Sequence, residues 1–118
     1  DKLNGRMRDF TGKGLTTTDI AYGGFKDVPR QVTLVIRNSG EEAARVQVTA
    51  TLHDTYHDNG RKQCEKSLKP GEKRAFVLDA PVKKWIRHLA ITGGTKSAGL
   101  RLEQVGVALI PRNALDSK

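Results

Sequence analysis

Residues 31–56 read QVTLVIRNSGEEAARVQVTATLHDTY, and their pattern decides the fold. In Gln31–Arg37, Val32, Leu34 and Ile36 fall on one side of an extended chain and Thr33 and Arg37 on the other. Asn38-Ser39-Gly40 supplies turn chemistry. From Arg45 the alternation resumes, with Val46, Val48, Ala50, Leu52 and Tyr56 separated by Gln47, Thr49, Thr51 and His53. A period of two over about eleven residues is a half-buried strand and not a helix. Asp58-Asn59-Gly60 then reads as the close of a hairpin, because Asn and Gly tolerate positive φ.

Working outward, the pattern continues in short apolar runs. Arg61–Ser67 is polar and predicts an edge strand, where lysines discourage further pairing. Leu68-Lys69-Pro70-Gly71-Glu72 is a turn. Arg74–Ala80, with Ala75, Phe76, Val77 and Leu78, predicts a more fully buried strand ended by Pro81. Val82, Trp85, Ile86 and Leu89 have helical spacing and predict a helical turn or crossover, followed by a short strand at Leu89–Thr92. The apolar parity of Leu100, Leu102, Val105, Val107 and Leu109 shifts near Glu103-Gln104, which predicts a bulge or tight turn. On the N-terminal side only Ile20-Ala21-Tyr22 suggests a strand.

The architecture expected is an all-β, antiparallel immunoglobulin-like β-sandwich of about seven strands with little helix. Residues 1–19 read as a flexible N-terminal extension, 20–112 as the sandwich domain and 113–118 as a polar tail. A chain of 118 residues fits one domain and one core. Its single cysteine excludes an internal disulfide framework. No apolar run approaches the ~18 residues of a spanning helix, and no signal-like stretch opens the sequence.

Catalytic and metal chemistry find little support. His53 and His57 share a face of a strand but stand about 13 Å apart at ~3.3 Å per residue, too far for one zinc ion. Cys64 has cationic neighbours in Arg61, Lys62 and Lys66, yet no base in a defensible order. Gly12-Lys13-Gly14 and Gly93-Gly94-Thr95-Lys96 lack the strand–loop–helix context of a phosphate loop and read as turns. The sequence therefore implies no enzyme, no cofactor and no metal.

Charge gives the best local signal. The formal net charge is +8, from 21 Lys+Arg against 13 Asp+Glu. It concentrates in two segments, 61–74 and 80–102. The candidate anion- or partner-binding patch is Lys62, Lys66, Lys83, Lys84, Trp85, Arg87, Lys96 and Arg101, with Trp85 available for stacking. A single tryptophan falls short of the several sheet-face aromatics of single-strand binding folds.

Several marks in order resemble the first C-terminal β-barrel domain of transglutaminases across residues 31–111. They are the strand Val32–Ile36 ending in Arg37-Asn38-Ser39, the long strand Val46–Tyr56 and its turn, Leu68-Lys69-Pro70-Gly71, the crossover Pro81–Leu89 with Trp85 where that family has a tyrosine, and Val107–Pro111. The resemblance implies a non-catalytic domain, since that family's catalytic residues and calcium sites lie in a separate core. The function expected is a module for protein–protein or interdomain contacts. The alternative is a stand-alone basic domain binding a polyanion, whether nucleic acid, anionic glycan or acidic lipid surface.

Overall fold

The computed structural model describes residues 8–10, 12–16, 27–53, 58–93 and 99–111. These form eight strands and no helix: β1 (Arg8–Phe10), β2 (Gly12–Thr16), β3 (Asp27–Asn38), β4 (Ala44–His53), β5 (Asp58–Leu68), β6 (Lys73–Asp79), β7 (Trp85–Gly93) and β8 (Leu100–Pro111). One sheet has the order β1-β8-β3-β6, here called sheet A, and the other β2-β7-β4-β5, sheet B. Every recorded pairing is antiparallel.

The chain is the antiparallel β-sandwich that the alternation predicts. Its strand order is that of a jelly roll, an eight-stranded double Greek key, in place of the ABED and CFG sheets of an immunoglobulin domain. Every connection except β4–β5 passes from one sheet to the other.

The inward residues are those of the alternating stretches. Val32, Leu34 and Ile36 of β3 are buried, as are Ala44, Val46, Val48, Ala50 and Leu52 of β4. Phe76, Leu78, Ile86, Leu89, Ile91, Leu100, Leu102 and Val105 close on them from the flanking strands. Each fully buried Leu, Ile or Phe contributes about 1.5–3 kcal/mol, so this layer is the main source of stability. The parity shift in β8 is a bulge: Val35 faces Gln104 while Ile36 faces Leu102, which leaves Glu103 as the extra residue.

Several local expectations change. Arg8–Phe10 and Gly12–Thr16, inside the segment read as an extension, pair with β8 and β7. Their glycines and charges hide the alternation that marks the other strands. Trp85–His88 is strand, not a helical turn, because a bulge opposite Thr51 and Leu52 gives β7 its irregular apolar spacing. Asp58-Asn59-Gly60 begins β5 instead of closing the hairpin, since Asp58 pairs with His53. β6 is half-buried, not fully buried: it is a sheet edge with one face open. Ile20–Tyr22, His57, Lys96 and the polar tail lie outside the described residues.

Two turns link the sheets next to β6. Glu72 N donates to Lys69 O at 2.9 Å, with Gly71 at φ 81 in the third position after Pro70, the arrangement of a type II turn. Lys84 N donates to Pro81 O at 3.1 Å, and there the positive φ of 69 falls on Lys83.

Candidate functional site

The outer face of sheet A follows from the registers of its strands. Arg101, Arg37 and Lys73 stand side by side on β8, β3 and β6. The next rows are Gln104–Val35–Ala75, Gly106–Thr33–Val77 and Ala108–Gln31–Asp79. The middle of this face is therefore uncharged: Val35, Ala75, Thr33, Gly106 and Val77 are small or apolar, and Gln104 adds one exposed amide. Val77 is 48% exposed at its centre. Polar contacts close both ends. Arg37 Nε donates to Glu103 Oε2 at 2.7 Å, and Arg37 Nη1 donates to Gly71 O at 2.8 Å. At the other end Gln31 Nε2 donates to Asp79 Oδ1 at 2.6 Å.

The β8 bulge gives Glu103 its environment. The hydrogen bond from Arg37 holds its carboxyl below the ordinary glutamate range. Burial pushes the other way, and the positive charges of Arg37, Lys73 and Arg101 add to the lowering.

The described basic residues singled out from the sequence divide between the two ends of the sandwich. Lys83 and Lys84 lie in the β6–β7 turn and Arg87 at the β7 bulge, near the end of β4. Lys62, opposite Ala50, belongs to the same end, whereas Lys66 is opposite Val46 and Arg101 opposite Arg37 at the far end. Lys62 and Lys66 share the inward side of β5 with Cys64 and Leu68, opposite Ala50, Val46, Val48 and Ala44. Lys62 Nζ donates to Asp79 O at 2.9 Å, and Lys66 Nζ lies 6.0 Å from the Phe76 ring centre. These two lysines seal the rim between β5 and β6, an inward-pointing charge device typical of sheet edges. The end carrying Lys83, Lys84 and Arg87 also carries the strand positions Asp27, Asp58 and Asp79.

Trp85 is 4% exposed and packs with Val28 and Ile110, so it is a core residue and offers no stacking platform. Its ring meets His53 edge-on at 5.2 Å and 67°. His53 Nε2 is 3.5 Å from Arg87 Nη1, and Arg87 Nε donates to His88 Nε2 at 3.3 Å. Cys64 is half-buried against the core. Among the described residues no three His, Cys, Asp or Glu side chains group to hold a metal ion. Among the same residues no helix is long and apolar enough to cross a membrane.

The sequence did not mark the sheet A face. In Ala75-Phe76-Val77-Leu78 both parities are apolar, so the run looks buried throughout. The available signal is that Lys73 and Asp79 share the parity of Ala75 and Val77, which makes that parity the solvent side.

No family model matches the chain, those of the transglutaminases included, and no curated protein matches by sequence. Similar solved structures include a carbohydrate binding module from glycoside hydrolase family 9 (Cel9A) of Ruminococcus flavefaciens FD-1. That match has 9% identity and a TM-score of 0.49, and covers 91% of this chain and 98% of that one. The CBM22-1–GH10 modules of Clostridium thermocellum xylanase 10B, complexed with xylohexaose, match at 13% identity and a TM-score of 0.46. That alignment covers 72% of this chain, which spans only 17% of the xylanase chain. PirA matches at 14% identity and a TM-score of 0.43, over 88% of this chain and 94% of that one. At such scores no ligand or residue role carries over.

Proposed function

We propose that this β-sandwich is a non-catalytic binding module that docks a protein partner or neighbouring domain on the outer face of sheet A. The observation that carries the reading is Val77, 48% exposed amid Val35, Ala75, Thr33, Gly106 and Ala108. A neutral strip with polar groups at both ends has the anatomy of a protein interface: an apolar centre, depleted of charge, inside a polar rim. The interdomain role that the transglutaminase resemblance implies is one form of such docking. A photo-crosslinking residue at position 77, in the chain expressed in its own cells, gives discrete cross-linked species. The same residue at Thr49 on sheet B gives none, and Val35→Arg removes those from position 77 without lowering the melting temperature. Equal labelling from both faces, or none from position 77, overturns the reading.

The polyanion reading rests on Lys62, Lys83, Lys84 and Arg87 at one end of the sandwich. It is the weaker of the two, because Asp27, Asp58 and Asp79 occupy strand positions at the same end and Trp85 is buried.

A further inference from the structure

The β6 edge has a pattern that matches itself. Asn38 N donates to Glu72 O at 2.9 Å, and Ala80 N donates to Arg30 O at 2.8 Å, so both ends of the β3–β6 pair fix which residues bond to β3. In an antiparallel pair the bonded positions alternate. The even-numbered residues of β6 therefore turn their main-chain groups toward β3, and Lys73, Ala75, Val77 and Asp79 turn theirs toward the open edge. The Lys62 ammonium on Asp79 O lies on that side. The same four residues carry their side chains on the outer face of sheet A.

We propose that a second copy of this chain adds to β6 in antiparallel fashion, centred on Phe76, joining the two A sheets across a twofold axis. The proposal rests on the docking reading above and places the partner at the β6 edge of that face, beside Val77. In this register Lys73 lies opposite the partner's Asp79, and Ala75 lies opposite the partner's Val77. The twofold repeats both pairs, as an isologous contact requires. All four open-edge residues meet open-edge residues, so each pair exchanges two main-chain hydrogen bonds. Shifting the axis by one residue in either direction places Val77 or Ala75 opposite a charged residue and loses the Lys–Asp pairing. Within one chain Lys73 and Asp79 are about 20 Å apart along the strand at ~3.3 Å per residue, so their complementarity acts only between copies. Lys62 competes as a guard on the Asp79 carbonyl, and the main-chain amide of the partner's Lys73 replaces it.

Strand addition of this size is weak, so sedimentation equilibrium must span roughly 10 µM to 1 mM. The wild-type chain shifts from monomer toward dimer across that range. Lys73→Asp and Asp79→Lys each reduce the association constant at least tenfold, through like charges directly opposite one another. An equimolar mixture of the two variants restores it. In the mixed dimer the introduced carboxylate meets the introduced ammonium, and the native Asp79 of one chain meets the native Lys73 of the other. A misfolded variant cannot be rescued in this way, so the mixture separates a broken contact from a broken fold. A wild-type chain that stays monomeric at the highest concentration, or a mixture that associates no better than either variant, overturns the proposal. If the chain is monomeric and position 77 still cross-links to other proteins, the docking reading stands without the dimer. Monomer with no cross-links sinks both.

Discussion

Asn38 Nδ2 donates to the main-chain oxygen of Leu68 at 3.1 Å, tying the end of β3 in sheet A to the end of β5 in sheet B. The same amide donates to Glu42 O at 2.7 Å, and Asn38 Oδ1 accepts from Gly40 N at 2.9 Å. Its main chain adds bonds to Glu72 O and from Gly71 N. Asn38 is completely buried, the only buried polar residue among those described. It holds the β3–β4 loop, the β5–β6 turn and both sheets in one arrangement.

Asn38→Ala leaves the Leu68 and Glu42 carbonyls and the Gly40 amide without this partner. The Leu68 bond is buried and the other two are part-buried. A buried group stranded in this way costs about 1–3 kcal/mol, so a loss of about 2–3 kcal/mol is expected in urea denaturation. Asn38→Asp fares no better, since it sets an oxygen against two carbonyl oxygens.

Gly93 sits at φ 144, and a Cβ there would collide with the main-chain oxygen of Arg45 on the paired strand β4. The nearest atoms a Cβ would meet are backbone atoms of Arg45 and Val46, so no side chain can swing aside to admit it. Gly93→Ala lowers stability by about 2–3 kcal/mol, read as a fall in melting temperature.

Lys83 holds a positive φ that glycine adopts without strain. Lys83→Gly therefore raises stability by about 0.5–1 kcal/mol. Lys83→Ala removes the same charge and retains the strain, so it gives no such gain. Equal stabilisation by both would assign the effect to charge.

Glu103 has a depressed pKa in the folded chain, held down first by the hydrogen bond from Arg37. A lowered folded value means the unfolded state binds more protons on acidification. The stabilisation is present above the unfolded glutamate value of about 4.3 and fades as pH falls through the folded value. Glu103→Gln flattens part of that acid limb and leaves the curve between pH 6 and 8 parallel to wild type.

Heparin or DNA titrated against salt decides the weight of the basic end. With Lys62 engaged and three aspartate positions nearby, few phosphates are neutralised together, and the log–log slope stays shallower than about −2. A slope near −5 would favour the polyanion reading.

Much of the core was legible because burial on a strand is written locally. Val32, Leu34, Ile36, Val46, Val48, Ala50 and Leu52 alternate in sequence and are buried in the fold. The Glu103 bulge was legible for the same reason, as a break in period. β6 misled because both its parities are apolar, and β7 because its bulge at Arg87 mimics helical spacing. The exposed Val77 and buried Trp85 at the candidate surfaces were invisible to the pattern, since each depends on what another strand covers.

The sequence by itself determined a sandwich of antiparallel strands, which face of β3 and β4 turns inward, and where β8 breaks step. Those are properties of neighbouring residues, set by a period of two and by where polar groups can remain hydrated. The tertiary structure decided the jelly-roll order, because nearly every connection crosses between sheets and pairs strands far apart in the chain. It also made Asn38 a junction, where the sequence offered a turn residue, and left β6 as an open edge. Which strand ends a sheet is fixed by long-range pairing, and no local alternation records it.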